Sequence, residues 1–298
     1  MPASLRDRIA DVLVEADTDA FVHAVDIDRG HATGLGEEAP VVTASTFKIF
    51  VLLEAARQVA AGALSWTTRI HVPAEGRTMG PTGLSVMLDD AELSLRDLAL
   101  LMMQISDNHA TDVVQGVVGT DAIAKTIAEL GLTDTVIDAD CRKLLDDFFE
   151  EMGGRDTVGT LSPQRQAELL AASPTIQAKV GNRTTARDMT KLLSAIWRDE
   201  AGPADACAEV RRIMGLQHAP HRLNTAYGDG VAVAGKTGTL YGGIRNEVGV
   251  FEFPDDGGRY ALAVFLKQRN HRLRDARADR AIGEIARSAI ELLREARG

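Results

Sequence analysis

A chain of 298 residues with 45% hydrophobic, 26% charged and only 4% aromatic residues is built like an ordinary globular protein on aliphatics, long enough for one large or two interleaved domains. Its net charge of −10 repels phosphate backbones and anionic headgroups, so neither nucleic acid nor a membrane is an expected partner. No apolar run approaches the ~18 residues of a membrane span. Cys141 and Cys207 stand in no CxxC spacing, which favours two idle thiols over a disulfide. The first twenty residues carry acids where a secretory leader needs an unbroken apolar stretch, so a cytoplasmic location is expected, or a secreted one if a leader has been removed.

In chain order, SLRDRIADVLVEA places Leu5, Ile9, Val12 and Leu13 at helical spacing and predicts an amphipathic helix. AFVHAVDID, from Ala20 to Asp28, predicts a strand that turns at Arg29 and Gly30 into a hairpin. From Ser45 to about Cys207 the text is mostly helical, with FKIFVLLEAARQVAAG, LSLRDLALLMMQI, TDAIAKTIAEL and TTARDMTKLLSAIW the clearest stretches. Its least regular part runs from Asp138 to Gly181, where GGRDTVGTLSP breaks the period and predicts a functional or mobile loop. VAVAGKTGT, NEVGVFEF and RYALAVFLKQ then alternate like three successive strands, and RADRAIGEIARSAIELLREA puts Ile282, Ile285, Ala289 and Leu293 on one helical stripe. The expected fold is α+β: a discontinuous domain of residues 1–40 and 208–298, its antiparallel sheet flanked by the terminal helices, with an all-α domain of residues 41–207 inserted. A site belongs at the seam between the two.

Three short motifs carry chemistry together, although each is weak alone. Ser45, Thr46, Phe47 and Lys48 open an apolar helix; Ser106, Asp107 and Asn108 follow another; Lys236, Thr237 and Gly238 end a strand. A serine hydroxyl is a poor nucleophile until a base sits beside it, and one turn from i to i+3 brings the Lys48 amine over the Ser45 oxygen. Burial and a neighbouring cation such as Lys236 lower the lysine pKa and let it take the serine proton. Ser106 can relay that proton to a leaving nitrogen. Lys236 faces a substrate carboxylate, and Gly238 lets backbone approach the ligand.

With these residues the chain resembles the penicillin-recognising serine enzymes, specifically their class A β-lactamase-like branch. The likeness is carried by ASTFKIFVLLEAA, by SDN in MMQISDNHATDVV with LGLTDT after it, by NRTTARDMTKLL and by AGKTGTLYGGIRNEVGVF, and it spans the chain from about Ala20 onward. The resemblance implies Ser45 as the acylated nucleophile, Lys48 as its base, Ser106 as proton relay, Asn108 as a substrate amide contact, and Lys236 with Thr237 as carboxylate anchor. It implies an oxyanion hole of the Ser45 and Thr239 amides, no cofactor, and a small substrate bearing a carboxylate. Asp107 reads as structural.

The departure lies where the class A pattern RxExELN supplies the glutamate that activates the deacylating water. Here the stretch reads TVIDADCRKLLDDFFEE, with Cys141 about where the glutamate belongs. Asp140, foremost, and Asp146, Asp147 and Glu150 are candidate replacement bases, and a solvated helix face is the competing reading. GVAVAGKT, Gly230 to Thr237, matches a P-loop, but its middle alternates as a strand and the glycines beyond Thr237 cannot open a good helix. His218 and His221 lack partners in a metal-ligand spacing, so no metal centre is expected, and His109 reads as a surface or capping residue. Arg245 is either a second carboxylate-binding cation or the partner of an acid such as Glu247. The expected function is a serine hydrolase that forms an acyl-enzyme at Ser45 on a β-lactam or related amide. The alternatives are an acyltransferase, esterase or amidase on the same scaffold, or a slowly deacylating penicillin-binding protein.

Overall fold

A computed structural model of the protein describes residues 4–296. Helix α1 (Leu5–Glu15) opens the chain, with Ser4 and Asp7 capping each other's amides, which satisfies two donors that a helix N-terminus leaves unpaired. Strands β1 (Thr18–Asp26) and β2 (Ala32–Leu35) form the hairpin read from the sequence. Then follow β3 (Val41–Val42), a 3-10 turn (Ala44–Phe47), α2 (Lys48–Ala60), β4 (Arg69–Val72), β5 (Ala91–Ser94), α3 (Leu95–Gln104), α4 (Asn108–Val118) and α5 (Thr120–Glu129). The chain continues through α6 (Cys141–Glu151), α7 (Pro163–Ala172), β6 (Arg183–Thr184), α8 (Ala186–Trp197) and α9 (Ala204–Met214). It closes with β7 (Ala232–Leu240), β8 (Ile244–Glu252), β9 (Arg259–Gln268) and α10 (Ala276–Glu295).

The five-stranded sheet has the order β2-β1-β9-β8-β7 and every neighbouring pair is antiparallel. Strand β1 pairs with β9 from Thr18↔Gln268 to Asp26↔Tyr260, so the two ends of the chain meet at the centre of one sheet. The period of two splits β9 between two cores. Leu262, Val264 and Leu266 face Leu5, Ile9, Ile282, Ile285 and Ala289 of α1 and α10. Ala261, Ala263 and Phe265 face the helical part. Helix α2 is the centre of that part: Ile49, Phe50, Val51, Leu52 and Leu53 are each at most 1% exposed, as in a helix packed on all sides. Each such side chain contributes roughly 1.5–3 kcal/mol by burial.

The helical part is not purely α. Strand β3 pairs with β6, and β4 with β5; two- and four-residue strands are too short to show a readable period. Helix α9 carries the helical part past residue 207, packing Cys207, Val210, Ile213 and Met214 into the core it shares with α2 and α3. The irregular stretch holds α6 and α7. Asn182 ties its neck, accepting the amides of Asp138 and Ala139 at 3.0 Å each and donating to the Ala139 carbonyl at 2.8 Å. Lys236 lies within β7 and no helix opens there, so the P-loop match has no structural counterpart. No helix of the described residues is long and apolar enough to cross a membrane.

Candidate active site

The turn that carries Ser45, the nucleophile candidate, lies against the edge strand β7. Ser45 lies in the 3-10 turn just before α2, a geometry in which side chains at i and i+3 eclipse, bringing Ser45 and Lys48 to the same side. The turn is anchored from three directions. The Thr43 amide and hydroxyl both donate to the Asn182 carbonyl at 3.2 Å, Thr46 Oγ1 donates to the Thr43 carbonyl at 2.8 Å, and Asn246 Nδ2 donates to the Val42 carbonyl at 2.8 Å. Ala44 is held at φ +45°, a left-handed conformation costing about 1–2 kcal/mol outside glycine.

Lys48 is fully buried, and burial lowers its pKa. Its ammonium donates to the Ser106 carbonyl at 2.8 Å, Asn108 Oδ1 at 3.0 Å and Ser106 Oγ at 3.3 Å. None of these bonds goes to Ser45; the amine expected to act as base is moored on Ser106 and Asn108 instead, and catalytic hydrogen bonds often tighten only with substrate bound. Ser106 itself has φ +60°. Asp107 holds the loop as its sequence position implied: it caps α4 through the amides of His109 and Ala110 and accepts Leu84 N at 2.5 Å. A Cβ on Gly83 would stand 2.1 Å from Asp107 Oδ2, so only glycine fits there. Asn108 Nδ2 donates to the Met79 carbonyl, tying the opposite wall. His109 Nδ1 accepts the Thr78 amide at 3.1 Å, a loop-holding contact.

Strand β7 is the free edge of the sheet and the other wall. Lys236 is fully buried; desolvation first, then repulsion from Lys48, pulls its pKa well down, against the attraction of Glu247. Its ammonium donates to the Thr237 carbonyl at 2.9 Å. The Thr237 amide, turned away from β8, donates to Gln217 Oε1. Alternation along a strand gives the Thr239 amide the same outward sense, as an oxyanion-binding donor requires. Gly238 makes a close protein contact as well. A Cβ there would meet the Thr43 carbonyl oxygen at 2.9 Å and Ala44 Cβ and Thr46 Cγ2 at 3.2 Å, so the missing side chain lets β7 close onto the Ser45 turn.

Arg245 pairs with Asp279 at 2.8 Å and not with Glu247. Arg222, which no motif singled out, shares that carboxylate at 2.7 Å and also reaches the carbonyls of Gly238 and Asn246 and Thr239 Oγ1. Both guanidinium side chains are only 4% exposed. Gln217 and Arg222 were missed, and Glu247 was named only as a partner for Arg245, because each acts by proximity across the fold, which a linear text does not display.

An inner chamber of about 260 Å³ is lined by Ser45, Ser106, Asn108, Cys141, Thr237 and Thr239 with apolar Leu144, Leu145 and Leu240. A wider one of about 780 Å³ adjoins it past Asn108 and Thr239, with Tyr241, Arg245, Arg274 and His221 on its walls. Cys141 reaches the inner chamber, and burial pushes its thiol up to about 12. No carboxylate of the described residues lines that chamber. Asp140 caps α6, accepting Lys143 N at 2.7 Å, and borders a separate hollow with Asp112 and Asp138. Asp146 pairs with Arg155, Asp147 with Lys143, and Glu150 is exposed. The solvated-face reading of these acids is the one the geometry matches.

Comparison with known proteins follows the same lines. Residues 4–293 match the beta-lactamase enzyme family. A beta-lactamase from Sphaerobacter thermophilus DSM 20745 superposes with a TM-score of 0.76 at 26% identity, over 96% of this chain and 97% of that one. PBP-A superposes with a TM-score of 0.76 at 20% identity, over 98% and 96%, a likeness of fold. The beta-lactamase regulatory protein BlaB of Streptomyces cacaoi is 26% identical over 315 residues, covering 98% of each chain.

Proposed function

For this chain, which belongs to the beta-lactamase enzyme family, we propose a serine acyl-enzyme chemistry in which Ser45 is acylated by a carboxylate-bearing β-lactam or related amide and released slowly. Ser45 Oγ attacks the carbonyl carbon while Lys48, unprotonated, takes its proton. The amides of Ser45 and Thr239 hold the oxyanion. As the C–N bond breaks, the proton passes from Lys48 to Ser106 across their 3.3 Å contact and on to the leaving nitrogen. Lys236 and Thr237 hold the substrate carboxylate, and Arg245 borders the wider chamber that would receive the rest of the leaving group.

The observation that carries the second half of the proposal is the inner chamber's lining: a cysteine thiol of raised pKa and no acid. Such a thiol neither ionises nor accepts a proton near neutrality. Deacylation then proceeds without the ~10²–10⁴-fold of general-base assistance. A held acyl group also suits a sensor, and the Streptomyces cacaoi relative is named as a regulatory protein. The open 780 Å³ chamber supports a second reading, acyl transfer to an incoming nucleophile other than water.

Intact-mass analysis after incubation with benzylpenicillin tests the assignment. One equivalent added to wild type and none to Ser45→Ala, with both proteins folded, is the expected result. Residual labelling of Ser45→Ala overturns it.

A further inference from the structure

Behind the proposed substrate-contacting groups stands a buried acid that lies outside the three short motifs. Glu247, on β8, is fully buried and lies opposite Thr237 in the strand register. One of its oxygens accepts the Leu223 amide at 2.7 Å and the other accepts Gln217 Nε2 at 2.8 Å. The far end of Gln217 accepts the Thr237 amide, and the Thr237 carbonyl accepts the Lys236 ammonium at 2.9 Å. An ionised carboxylate only accepts, so it leaves the Gln217 side chain one orientation: nitrogen towards Glu247, oxygen towards β7. The chain of contacts is therefore directional from the acid to the free edge of the sheet.

The charges around Lys236 make the acid's role specific. Lys48 and Arg222 both repel its positive charge, and burial removes the water that would otherwise support it. On the other side stand Glu247 and, far more weakly as an un-ionised thiol, Cys141. Burial raises the Glu247 pKa, and the Leu223 amide, Arg222, Gln217 and Lys236 all oppose that rise by favouring the carboxylate, while the acids that bear on Lys48 are Asp107 and Asp112. Glu247 is thus the one anion among these that acts on the carboxylate-anchoring lysine.

We propose that Glu247 is a positioning residue that keeps Lys236 cationic and, through the Gln217 side chain that holds the Thr237 amide, fixes the β7 edge presenting the Thr239 amide to the substrate. Its consequence for acylation rests on the acyl-enzyme reading above; the effect on Lys236 does not.

The experiment is a titration of protein labelled with ¹³C at lysine Cε, with the Lys236 signal assigned from Lys236→Arg. Glu247→Gln is expected to lower the Lys236 midpoint by about one pH unit or more, a tenfold change in proton affinity, and Glu247→Asp to restore most of it. The alkaline limb of the acylation profile with benzylpenicillin is expected to move down with it, while an uncharged ester keeps its profile. A folded Glu247→Gln protein with an unmoved Lys236 midpoint overturns the proposal. So does a carboxyl ¹³C signal showing wild-type Glu247 protonated at pH 7, a measurement that needs no variant. If the midpoint moves but no β-lactam labels Ser45, the acyl-enzyme reading fails and the positioning role stands.

Discussion

Gly238 presses against Thr43: a β-carbon on the strand residue would stand 2.9 Å from the carbonyl oxygen that precedes the nucleophile turn. The same oxygen accepts Thr46 Oγ1 at 2.8 Å and Asn246 Nδ2 at 3.2 Å, so it has little freedom to yield. Gly238→Ala is therefore expected to destabilise the protein by about 1–3 kcal/mol, the usual cost of overpacking. It is also expected to slow acylation, because the displaced turn carries Ser45. Thermal denaturation and single-turnover labelling measure the two effects, and a variant of wild-type stability and rate would show that β7 has room to shift.

Cys141 occupies the chamber where a deacylating water would need a base. If its thiol is a spectator, Cys141→Ser leaves both acylation and release within about twofold. Cys141→Glu brings a carboxylate to the same backbone position and is expected to speed release at least ~10-fold, short of the ~10²–10⁴ of an optimised base. Acyl-enzyme decay followed by mass spectrometry compares the three proteins. Faster decay in wild type than in Cys141→Ser would make the thiol a participant.

Lys236 is buried behind Thr237, which lines the inner chamber, and the proposed function gives it a substrate carboxylate to hold. Lys236→Ala is expected to weaken carboxylate-bearing β-lactams by ~1.5–3 kcal/mol, the worth of a charge-assisted hydrogen bond, roughly 10- to 150-fold in acylation efficiency. An uncharged ester loses far less. Equal losses would place the action of Lys236 on the Lys48 pKa instead.

His23 supplies a pH test of the scaffold away from the site. Its ring, 5% exposed on β1, bonds Thr190 Oγ1 of α8 at 2.5 Å, and burial lowers its pKa to about 4. The folded value lies below the unfolded one, so the contribution is complete above pH 6.5 and is lost as pH falls towards 4. That loss amounts to at most about 3.5 kcal/mol at ~1.36 kcal/mol per unit. The fall in denaturation midpoint from pH 6.5 to 4 is expected to be smaller in His23→Gln than in wild type. Parallel curves would mean that the ring protonates in place.

The sheet, both terminal helices and α2 were legible because each carries a long period: Leu5 and Ile9, the stripe from Ile282 to Leu293, the alternation along β9. The three motifs named Ser45, Lys48, Ser106 and Lys236, and in the fold the nucleophile-turn candidate, the SDN loop and β7 stand beside one another, since local spacing and strand edges fix them. The pairing of β3 with β6 and the roles of Gln217, Arg222 and Glu247 were not legible, because they depend on residues brought together across the fold. Helix α6 was legible and passed over: Cys141, Leu144, Leu145, Phe148 and Phe149 repeat at helical spacing, but the acids between them drew the reading towards catalysis. Gly238 has a contact the sequence did not show, the close approach of β7 to the Thr43 carbonyl.

The most direct test of the central claim is a pre-steady-state record of wild type with a chromogenic cephalosporin at pH 7. The account predicts a burst of one product equivalent per Ser45, followed by a linear phase at least ~100-fold slower, the share that a missing general base removes. Rapid linear hydrolysis with no burst and no accumulating adduct would contradict it, and would require a base at Ser45 that the chamber lining does not contain.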